Sequence, residues 1–314
     1  MVSEKYLLSI VVPVFNEEES ISETIRRLLK LRTDLAQEVD VEFLFIDDGS
    51  KDRSLSLLRQ KAEENRCVKV ISFSRNFGHQ IAITAGIDKA QGDFVAVIDA
   101  DLQDPPELIA DMYRMALTGI DVVYGKRRSR AGETMFKKAT AAVFYRFLNY
   151  MTETDIPADT GDFRLMSRKV VDSFKQMRER HRFVRGMVPW LGFKSAALEY
   201  DRTERFAGET KYPLRKMLAF ATNAILSFSS KPLTLAIRLG AVTICLGVAG
   251  GFYMLYLKLF TTTPVPGVTA ILLSIVLFSG MQILLIGVVG EYIARIFEEI
   301  KGRPLYLVSE SVNI

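Results

Sequence analysis

The chain has 314 residues, of which 49% are hydrophobic, and it carries a formal net charge of +4. A chain of this length and composition can fill the core of an ordinary domain and still has apolar sequence left over. Its two cysteines, Cys67 and Cys245, exclude a fold held by a disulfide framework, which agrees with a reducing compartment.

The first part of the chain alternates between apolar runs and amphipathic helical patterns. Runs typical of strands cover residues 8–14, 41–46, 68–72, 94–98 and 122–124. Apolar spacing near 3.6 predicts helices over residues 18–31, 53–64, 79–90 and 107–117. This alternation predicts a mostly parallel sheet covered on both faces, with ligands bound outside the carboxyl ends of the strands.

Three acids follow the fourth apolar run in the sequence IDADLQDPPE. Carboxylates this close raise each other's pKa unless a positive group lies among them. Asp99, Asp101 and the amide oxygen of Gln103 are hard oxygen ligands that suit Mg²⁺ or Mn²⁺. Asp104 precedes two prolines and is predicted to cap the next helix. The sequence therefore predicts a divalent-cation site at the rim of the sheet.

Three kinds of chemistry use acids at such an edge. A dinucleotide-dependent oxidoreductase needs a glycine-rich turn after the first strand, and VPVFNEEES contains no glycine there. A phosphohydrolase could use the Asp-x-Asp pair as nucleophile and metal ligand, although the chain shows no recognisable remainder of such a site. Transfer from a nucleotide diphosphate needs a cation that neutralises the charge of the leaving diphosphate. The last two alternatives stay open from the residues alone.

Two long apolar runs follow residue 231. Residues 239–257 carry no charge, and residues 268–290 contain Gln282 as their only strongly polar side chain. Each run has about the 20 residues that cross the hydrocarbon layer as a helix, and neither has the polar face of a core helix. Basic residues flank the pair and only Lys258 lies between the runs, which predicts cytoplasmic termini. The polar start of the chain predicts no signal peptide.

Seven motifs resemble, in order, those of the polyprenyl-phosphate glycosyltransferases, which are family-2 enzymes of the GT-A fold. They are VVPVFNEEESI, FIDDGSKDRS, SFSRNFGHQIAITAGIDKAQGD, VIDADLQDPPELI, VVYGKRRSR, TGDFRLMSRKVV and ERFAGETKY. The short GDFRL form and the two apolar runs most resemble the bacterial bactoprenol glucosyltransferases, and the dolichol-phosphate mannosyltransferases are related.

The expected fold is α/β, with a Rossmann-like GT-A cytoplasmic domain over residues 1–211 and a two-helix transmembrane hairpin with a cytoplasmic tail over residues 232–314. Between them, residues 212–231 are expected to form an amphipathic juxtamembrane segment, for which a globular-core helix is an equal alternative.

The resemblance also implies roles for individual residues. Binding of the nucleotide sugar is implied for Pro13, Phe15, Glu17, Ile46, Asp48, Asp99, Ala100, Arg127 and Lys211. Metal binding is implied for Asp99, Asp101 and Gln103, and catalytic roles for Asp101, Asp162 and Arg205. A lipid phosphate is already largely ionised at pH 7, so Asp162 is expected to orient the acceptor or metal more than to remove a proton. The alternative is a purely structural role, in which Asp162 pairs with Arg164.

The residues alone predict a site for a metal and phosphate at a membrane, and the resemblance implies the donor and acceptor. Together they predict a metal-dependent, inverting transfer of a hexose, glucose from UDP-glucose, to undecaprenyl phosphate at the cytoplasmic face of the plasma membrane. The expected partners are the nucleotide sugar, the polyprenyl phosphate and the membrane, without nucleic acid; a homo-oligomer is left open. Alternatives are transfer of mannose, N-acetylglucosamine, galactose or aminoarabinose to the same lipid, and a catalytically silent membrane scaffold. A processive polysaccharide synthase would carry a Q-x-x-R-W motif and more spans, neither of which is present.

Overall fold

The computed structural model describes residues 5–128, 160–201, 229, 231–260 and 267–314. In the first of these ranges the chain alternates strands and helices, as its apolar pattern predicts. The strands are β1 (Leu7–Val14), β2 (Asp40–Asp47), β3 (Val68–Phe73), β4 (Phe94–Val97) and β5 (Val122–Arg127). The helices are α1 (Ile21–Asp34), α2 (Ser54–Glu64), α3 (His79–Lys89) and α4 (Leu108–Leu117).

The later ranges hold elements that the pattern alone did not predict, together with the two long apolar helices. These elements are β6 (Thr160–Ser167), α5 (Arg168–Gln176), α6 (Val184–Trp190), β7 (Ser195–Tyr200), α7 (Lys231–Phe260), α8 (Val268–Ile300) and β8 (Val308–Val312). Apart from residues 229 and 231, the predicted juxtamembrane segment 212–231 lies outside the described residues.

The described strands form one eight-stranded sheet in the order β7-β5-β6-β4-β1-β2-β3-β8. Its centre is parallel, since β1 pairs with β2 and β4 and β2 pairs with β3. β5 and β7 are also parallel, whereas β6 runs antiparallel between β4 and β5, and β8 runs antiparallel to β3. The predicted mostly parallel sheet of the α/β class is confirmed, and the antiparallel strands are those that come late in the chain.

Both faces of the sheet are covered, because successive strand side chains point to opposite sides. Ile10 and Val12 of β1 pack in one core cluster with α1, α2 and α4, while Val11 packs in a second cluster with α3, α5 and α6. α3 lies so close to β1 that a Cβ on Gly86 would stand 2.1 Å from Val11 Cγ1. The packing of α3 over the centre of the sheet therefore requires glycine at this position.

The helices α7 and α8 are long and apolar enough to cross a membrane, and the spans within them are Lys231–Leu257 and Ser274–Ile300. Neither apolar window is buried inside the protein, and Ile237 of α7 is 72% exposed. A helix of 33 residues is about 50 Å long, more than the hydrocarbon thickness of about 30 Å. The charged last turns of α8, from Glu291 onward, therefore extend beyond the length that a bilayer requires.

The C-terminal tail returns to the sheet after α8. β8 pairs with β3, and the Tyr306 ring stacks on Phe73 with the ring centroids 5.1 Å apart. Asn313 Nδ2 donates to the carbonyl oxygens of Ala62 and Val68 at 2.7 and 2.9 Å, and Glu310 pairs with Arg59. Residues beyond the apolar helices thus complete a sheet that was expected to lie wholly upstream of them.

Removal of residues 304–314 should lower the thermal midpoint of the full-length protein by roughly 5–10 °C, because Phe73 loses its stacked ring and β3 becomes an edge strand. Thermal unfolding of the detergent-solubilised protein measures this change. The matched control is Glu310→Gln, which removes only an exposed ion pair and should cost less than about 1 kcal/mol. An unchanged midpoint after truncation would show that the tail is an accessory to the sheet.

Candidate active site

A cleft of about 560 Å³ opens at the carboxyl ends of β1, β2 and β4, where the sheet topology predicted a ligand site. Many of the residues selected from the sequence line it. These are Pro13, Phe15, Glu17, Asp48, Asp99, Ala100, Asp101, Gln103 and Arg127. Asn76, His79 and Arg185 line the same cleft and were not among the predicted site residues. The structure therefore brings most of the predicted set together and adds three polar residues to it.

Hydrogen bonds between the loops that follow β1 and β2 shape one wall of the cleft. The Asn16 backbone N–H donates to Ser50 Oγ at 3.0 Å, and Asn16 Oδ1 accepts from the Lys51 N–H at 2.8 Å. Asn16 has a φ of 55°, a left-handed conformation that asparagine tolerates better than most residues. This turn leaves Phe15 at the cleft with 43% of its surface exposed.

Asp48 holds the turn that leads into α3. Its carboxylate accepts from the backbone N–H groups of Phe77 and Gly78 at 2.6 and 2.9 Å and from Asn76 Nδ2 at 2.9 Å. Burial raises the pKa of Asp48, and the two backbone donors oppose that rise. Three donors occupy most of the acceptor positions of a carboxylate, so its structural role is to position the Asn76–His79 turn.

Ile46 differs from the other residues predicted for nucleotide binding. Its side chain has no exposed surface and packs with Val11 and Ile71 in the core beneath α3, and it does not line the cleft. The neighbouring Gly49 supports the turn instead, because a Cβ there would lie 2.6 Å from the Arg75 carbonyl carbon and its φ is +71°. The DDGS turn therefore reaches the cleft through Asp48, whereas the side chain of Ile46 lies in the core.

The acidic loop, residues 99–104, follows β4 directly. Asp101 Oδ1 accepts from the Gln103 N–H at 3.1 Å, and Leu102 between them has a φ of 57°. A left-handed leucine costs about 1–2 kcal/mol, which the burial of its side chain at 3% exposure offsets. Burial raises the pKa of Asp99 to about 6, and the nearby Asp162, Asp104 and Asp101 add to that rise while His79 opposes it.

The acidic loop fits a divalent cation by its donor chemistry. Asp99 Oδ1 is buried and accepts no hydrogen bond among the described residues, although His79 Nε2 lies 3.4 Å away. Within the same residues no three His, Cys, Asp or Glu side chains form a ready-made metal cluster. Mg²⁺ is commonly held by one or two carboxylates together with substrate phosphates, so two acids and an amide oxygen match that pattern.

Asp104 does not cap α4, contrary to the prediction. The helix begins at Leu108 with Glu107 at its N-cap, because the two prolines form a separate turn before it. The buried Asp104 carboxylate instead accepts from the Tyr200 hydroxyl of β7 and lies 3.8 Å from Arg127 Nη2 of β5. It therefore ties the acidic loop to the strand that places Arg127 in the cleft.

Tyr200→Phe should lower the free energy of unfolding by about 1–3 kcal/mol, because Asp104 loses a buried donor. Chemical denaturation of the full-length protein measures the loss. Tyr6→Phe removes a hydroxyl from a tyrosine that is 52% exposed and serves as the matched control. Equal stability of the two variants would mean that the Tyr200 hydroxyl contributes nothing to the loop.

Asp162 lies at the centre of a polar cluster behind the cleft. It is 1% exposed, and Arg185 donates to it through Nε and Nη2 at 3.0 and 2.8 Å. His79 Nε2 lies 3.3 Å from Asp162 Oδ2, and Gln80 Nε2 donates to the same oxygen at 3.3 Å. We call His79, Gln80, Asp162 and Arg185 the Asp162 cluster.

The charges of this cluster fix the ionisation of Asp162. Burial raises its pKa, but the Arg185 charge and the hydrogen bonds from His79 and Arg185 hold the pKa well below its usual range. Burial lowers the pKa of His79, yet Asp162 and Asp99 together raise it to about 9. A carboxylate so stabilised in its charged form is a weak base. This geometry favours an orienting role for Asp162.

The alternative in which Arg164 pairs with the Asp162 carboxylate is wrong. Its buried guanidinium donates to the backbone carbonyl oxygens of Gly161, Asp162 and Val184 at 3.0, 3.3 and 3.3 Å. Burial lowers the pKa of Arg164 to about 10. The side chain fixes the backbone on both sides of the Asp162 cluster, while Arg185 supplies the ion pair.

Two residues predicted for the site, Arg205 and Lys211, lie outside the described residues, and their roles stay predictions. His79 and Gln80 had a weaker sequence signal, since they follow the end of the third strand by six and seven residues, whereas Asp99 follows the end of the fourth by two. Arg185 had no such signal, because neither β6 nor α6 was predicted.

Comparisons with known proteins identify the family of the chain. Residues 9–174 match the family model described as glycosyl transferase family 2. The chain is 55% identical over 306 residues to an uncharacterized glycosyltransferase, YkcC, of Bacillus subtilis, covering 98% of this chain and 94% of the relative. It is 40% identical over 307 residues to the SfII prophage-derived bactoprenol glucosyl transferase of Shigella flexneri, covering 97% and 98%.

Among solved structures, the mannosyl-3-phosphoglycerate synthase from Rubrobacter xylanophilus matches with a TM-score of 0.47 at 17% identity, covering 84% of this chain and 78% of that one.

Proposed function

The chain belongs to glycosyl transferase family 2, and from that premise we propose that it transfers a hexose from UDP-glucose to undecaprenyl phosphate at the cytoplasmic face of a membrane. The observation that carries the proposal is the cleft itself, in which the acidic loop faces Arg127 while two exposed apolar helices follow in the same chain. The relative in Shigella flexneri named as a bactoprenol glucosyl transferase matches both parts, since it aligns with 97% of this chain.

The donor side of the reaction falls to the loops after β1, β2 and β4. Phe15 offers an exposed aromatic face to a nucleobase, and Arg127 offers a planar guanidinium to phosphate oxygens. Asp99, Asp101 and Gln103 would hold Mg²⁺ or Mn²⁺, which when bound neutralises charge on the leaving diphosphate.

The transfer is a single displacement. An oxygen of the acceptor phosphate forms a bond to the anomeric carbon as the bond from that carbon to the donor diphosphate breaks, and UDP leaves with the electron pair. The anomeric configuration is therefore inverted. The acceptor phosphate is already ionised near neutral pH, so no side chain has to remove a proton, which agrees with the low basicity of Asp162.

The helices α7 and α8 would anchor the cleft at the membrane where the lipid acceptor lies. Anchoring raises the effective concentration of the site relative to a bilayer-embedded substrate. The end of α8 connects to the sheet, since β8 follows α8 and pairs with β3. The Tyr292 hydroxyl of α8 donates to the carbonyl oxygen of Ser229, two residues before α7, at 2.7 Å. That connection supports a hairpin whose two ends lie on the same side.

Purified full-length protein, incubated with a panel of nucleotide sugars and a short polyprenyl phosphate, tests the proposal. We expect a glycosylated lipid from UDP-glucose in the presence of Mg²⁺ or Mn²⁺, with release of UDP. A product from a mannose, galactose, N-acetylglucosamine or aminoarabinose donor instead would support the proposed type of reaction and assign it a different sugar. Absence of any product, together with absence of donor binding, would favour a silent scaffold.

A further inference from the structure

Arg185 lines the cleft, although neither the family motifs nor the strand pattern pointed to it. It occupies the second position of α6, and its side chain keeps 29% of its surface exposed while two of its nitrogens contact Asp162. Asp162 itself is 1% exposed and does not line the cleft. Of this ion pair, the arginine is therefore the member that a substrate can reach.

The contacts around Arg185 form a row of alternating charge that starts at the acidic loop. Asp99 Oδ1 lies 3.4 Å from His79 Nε2, and the same nitrogen lies 3.3 Å from Asp162 Oδ2. Asp162 Oδ2 in turn accepts from Arg185 Nη2 at 2.8 Å. Arg185 is thus the cation at the opposite end of this row from the acidic loop, where a second anion can be bound apart from the donor diphosphate.

The backbone beside Arg185 is held firmly in place. Gln80 Oε1 accepts from the Val184 N–H at 2.8 Å, and Arg164 Nη1 donates to the Val184 carbonyl oxygen at 3.3 Å. Gln80 also donates to Asp162, so one side chain links α3, β6 and the start of α6. A guanidinium whose neighbouring backbone and carboxylate partner are both held in place loses little freedom when it binds an anion.

The loop that precedes Arg185, residues 177–183, contacts the charged end of α8. The Arg180 N–H donates to Glu299 Oε1 at 2.6 Å, and His181 Nε2 lies 2.9 Å from Glu298 Oε2. The segment that touches the end of α8 therefore ends two residues before Arg185, and α8 is long and apolar enough to cross a membrane. The chain just before Arg185 is therefore in contact with the helix that would anchor the protein where the lipid acceptor lies.

We propose that Arg185 binds the phosphate of the lipid acceptor, and that Asp162 is the positioning residue that holds its guanidinium toward the cleft. The inference rests on the proposed transfer to a polyprenyl phosphate. Planar arginine forks match phosphate oxygens in pairs, and a lysine at the same place supplies charge without the fork. Asp162 acts on the acceptor through Arg185 and has no contact with the reacting atoms.

The variants Arg185→Lys and Arg185→Gln test this assignment in the full-length protein. For Arg185→Gln, the KM for a short polyprenyl phosphate should rise roughly 10- to 100-fold, as expected for loss of a charged hydrogen bond. The KM for the nucleotide sugar and the affinity for UDP should stay within about threefold, since the loops after β1, β2 and β4 are unchanged. Arg185→Lys should recover part of the acceptor affinity.

Arg114→Gln is the matched control. Arg114 lies on α4, forms exposed ion pairs with Glu38 and Asp111, and does not line the cleft. Its kinetics should equal those of the wild type. Thermal unfolding of every variant with and without UDP separates loss of fold from loss of acceptor binding, and a lysine variant that folds keeps the test valid if the glutamine variant does not.

A rise of the donor KM equal to that of the acceptor KM would overturn the inference and assign Arg185 to the diphosphate. Unchanged acceptor KM in both variants would overturn it as well, while transfer by the wild type would leave the proposed function standing. If the wild type transfers no sugar, the proposed function fails, and equilibrium binding of the short polyprenyl phosphate to wild type and Arg185→Gln still decides the role of Arg185. Equal affinity of the two proteins for the polyprenyl phosphate, or a loss of affinity that appears only with inorganic phosphate, would refute that role.

Discussion

Asp101→Asn should reduce hexose transfer to background while leaving the protein folded. Asp101 lies on the rim of the sheet in the acidic loop, where its Oδ1 accepts from the Gln103 N–H. Asparagine can keep that hydrogen bond but lacks the negative charge that a divalent cation requires from its oxygen ligands. Loss of charge stabilisation on the leaving group typically costs about two or more orders of magnitude in rate.

Transfer assays with and without EDTA, together with Mn²⁺-dependent binding of UDP, measure this result. Asp111→Asn is the matched control, since Asp111 is a half-exposed acid on α4 that pairs with Arg114 outside the cleft. The control should keep wild-type activity and metal dependence. Full activity of the wild-type protein in EDTA would show that the acidic loop works without a cation.

Asp162→Asn should have the second large effect, on both activity and stability. The change leaves Arg185 and His79 without their shared counter-charge, and removal of one partner of a buried ion pair costs about 3–5 kcal/mol. The side chains of Arg185 and His79 are 29% and 46% exposed, so solvent reduces the expected cost to about 1–3 kcal/mol. Acceptor use should fall strongly because the guanidinium is no longer held in place.

The pH profile of the residual activity separates orientation from base catalysis. If Asp162 orients, Asp162→Asn and the wild type should show profiles of the same shape, because the acceptor phosphate supplies the ionisation that matters. Asp88→Asn, which breaks a partly buried pair with Arg178 away from the cleft, controls for the loss of an ion pair as such. Loss of one limb of the profile only in Asp162→Asn would identify Asp162 as a general base.

Much of the fold followed from local sequence, and the reason is visible in the first five strands. Each is a short apolar run, and each of the first four is followed by a helix, so its identity depends on its own residues and their spacing. The same pattern located the acidic loop and the turns at Phe15 and Asp48 on one rim. The family model that matches residues 9–174 confirms the assignment of that region to glycosyl transferase family 2.

The elements that sequence did not predict depend on distant partners. β6 and β8 are antiparallel strands whose positions beside β4 and β3 follow from tertiary pairing rather than from their own pattern. β8 has the sequence VSESV, and its five residues alternate without a strong apolar face. Arg185 was missed because a solvent-accessible arginine gains meaning only when Asp162 is placed beside it.

Asp104 shows the opposite error. An acid before Pro-Pro is a common helix start, and local sequence therefore favoured a cap. The hydroxyl of Tyr200, nearly a hundred residues later, competes for the same carboxylate and binds it in the interior. Long-range burial overrode a correct local preference.

The pairing of β8 with β3 also sets an order of events during synthesis. β3 ends at Phe73 and its outer partner begins at Val308. At a synthesis rate of about 5–20 residues per second, the outer edge of β3 therefore stays unpaired for roughly 10–50 s. An unpaired apolar edge invites pairing with other chains during that interval. If α7 and α8 cross the membrane, the tail reaches β3 only when both ends of the hairpin emerge on the same side. The sheet is then completed only in a chain whose hairpin has inserted in the correct orientation, and a chain inserted the other way keeps β3 as an unpaired edge strand.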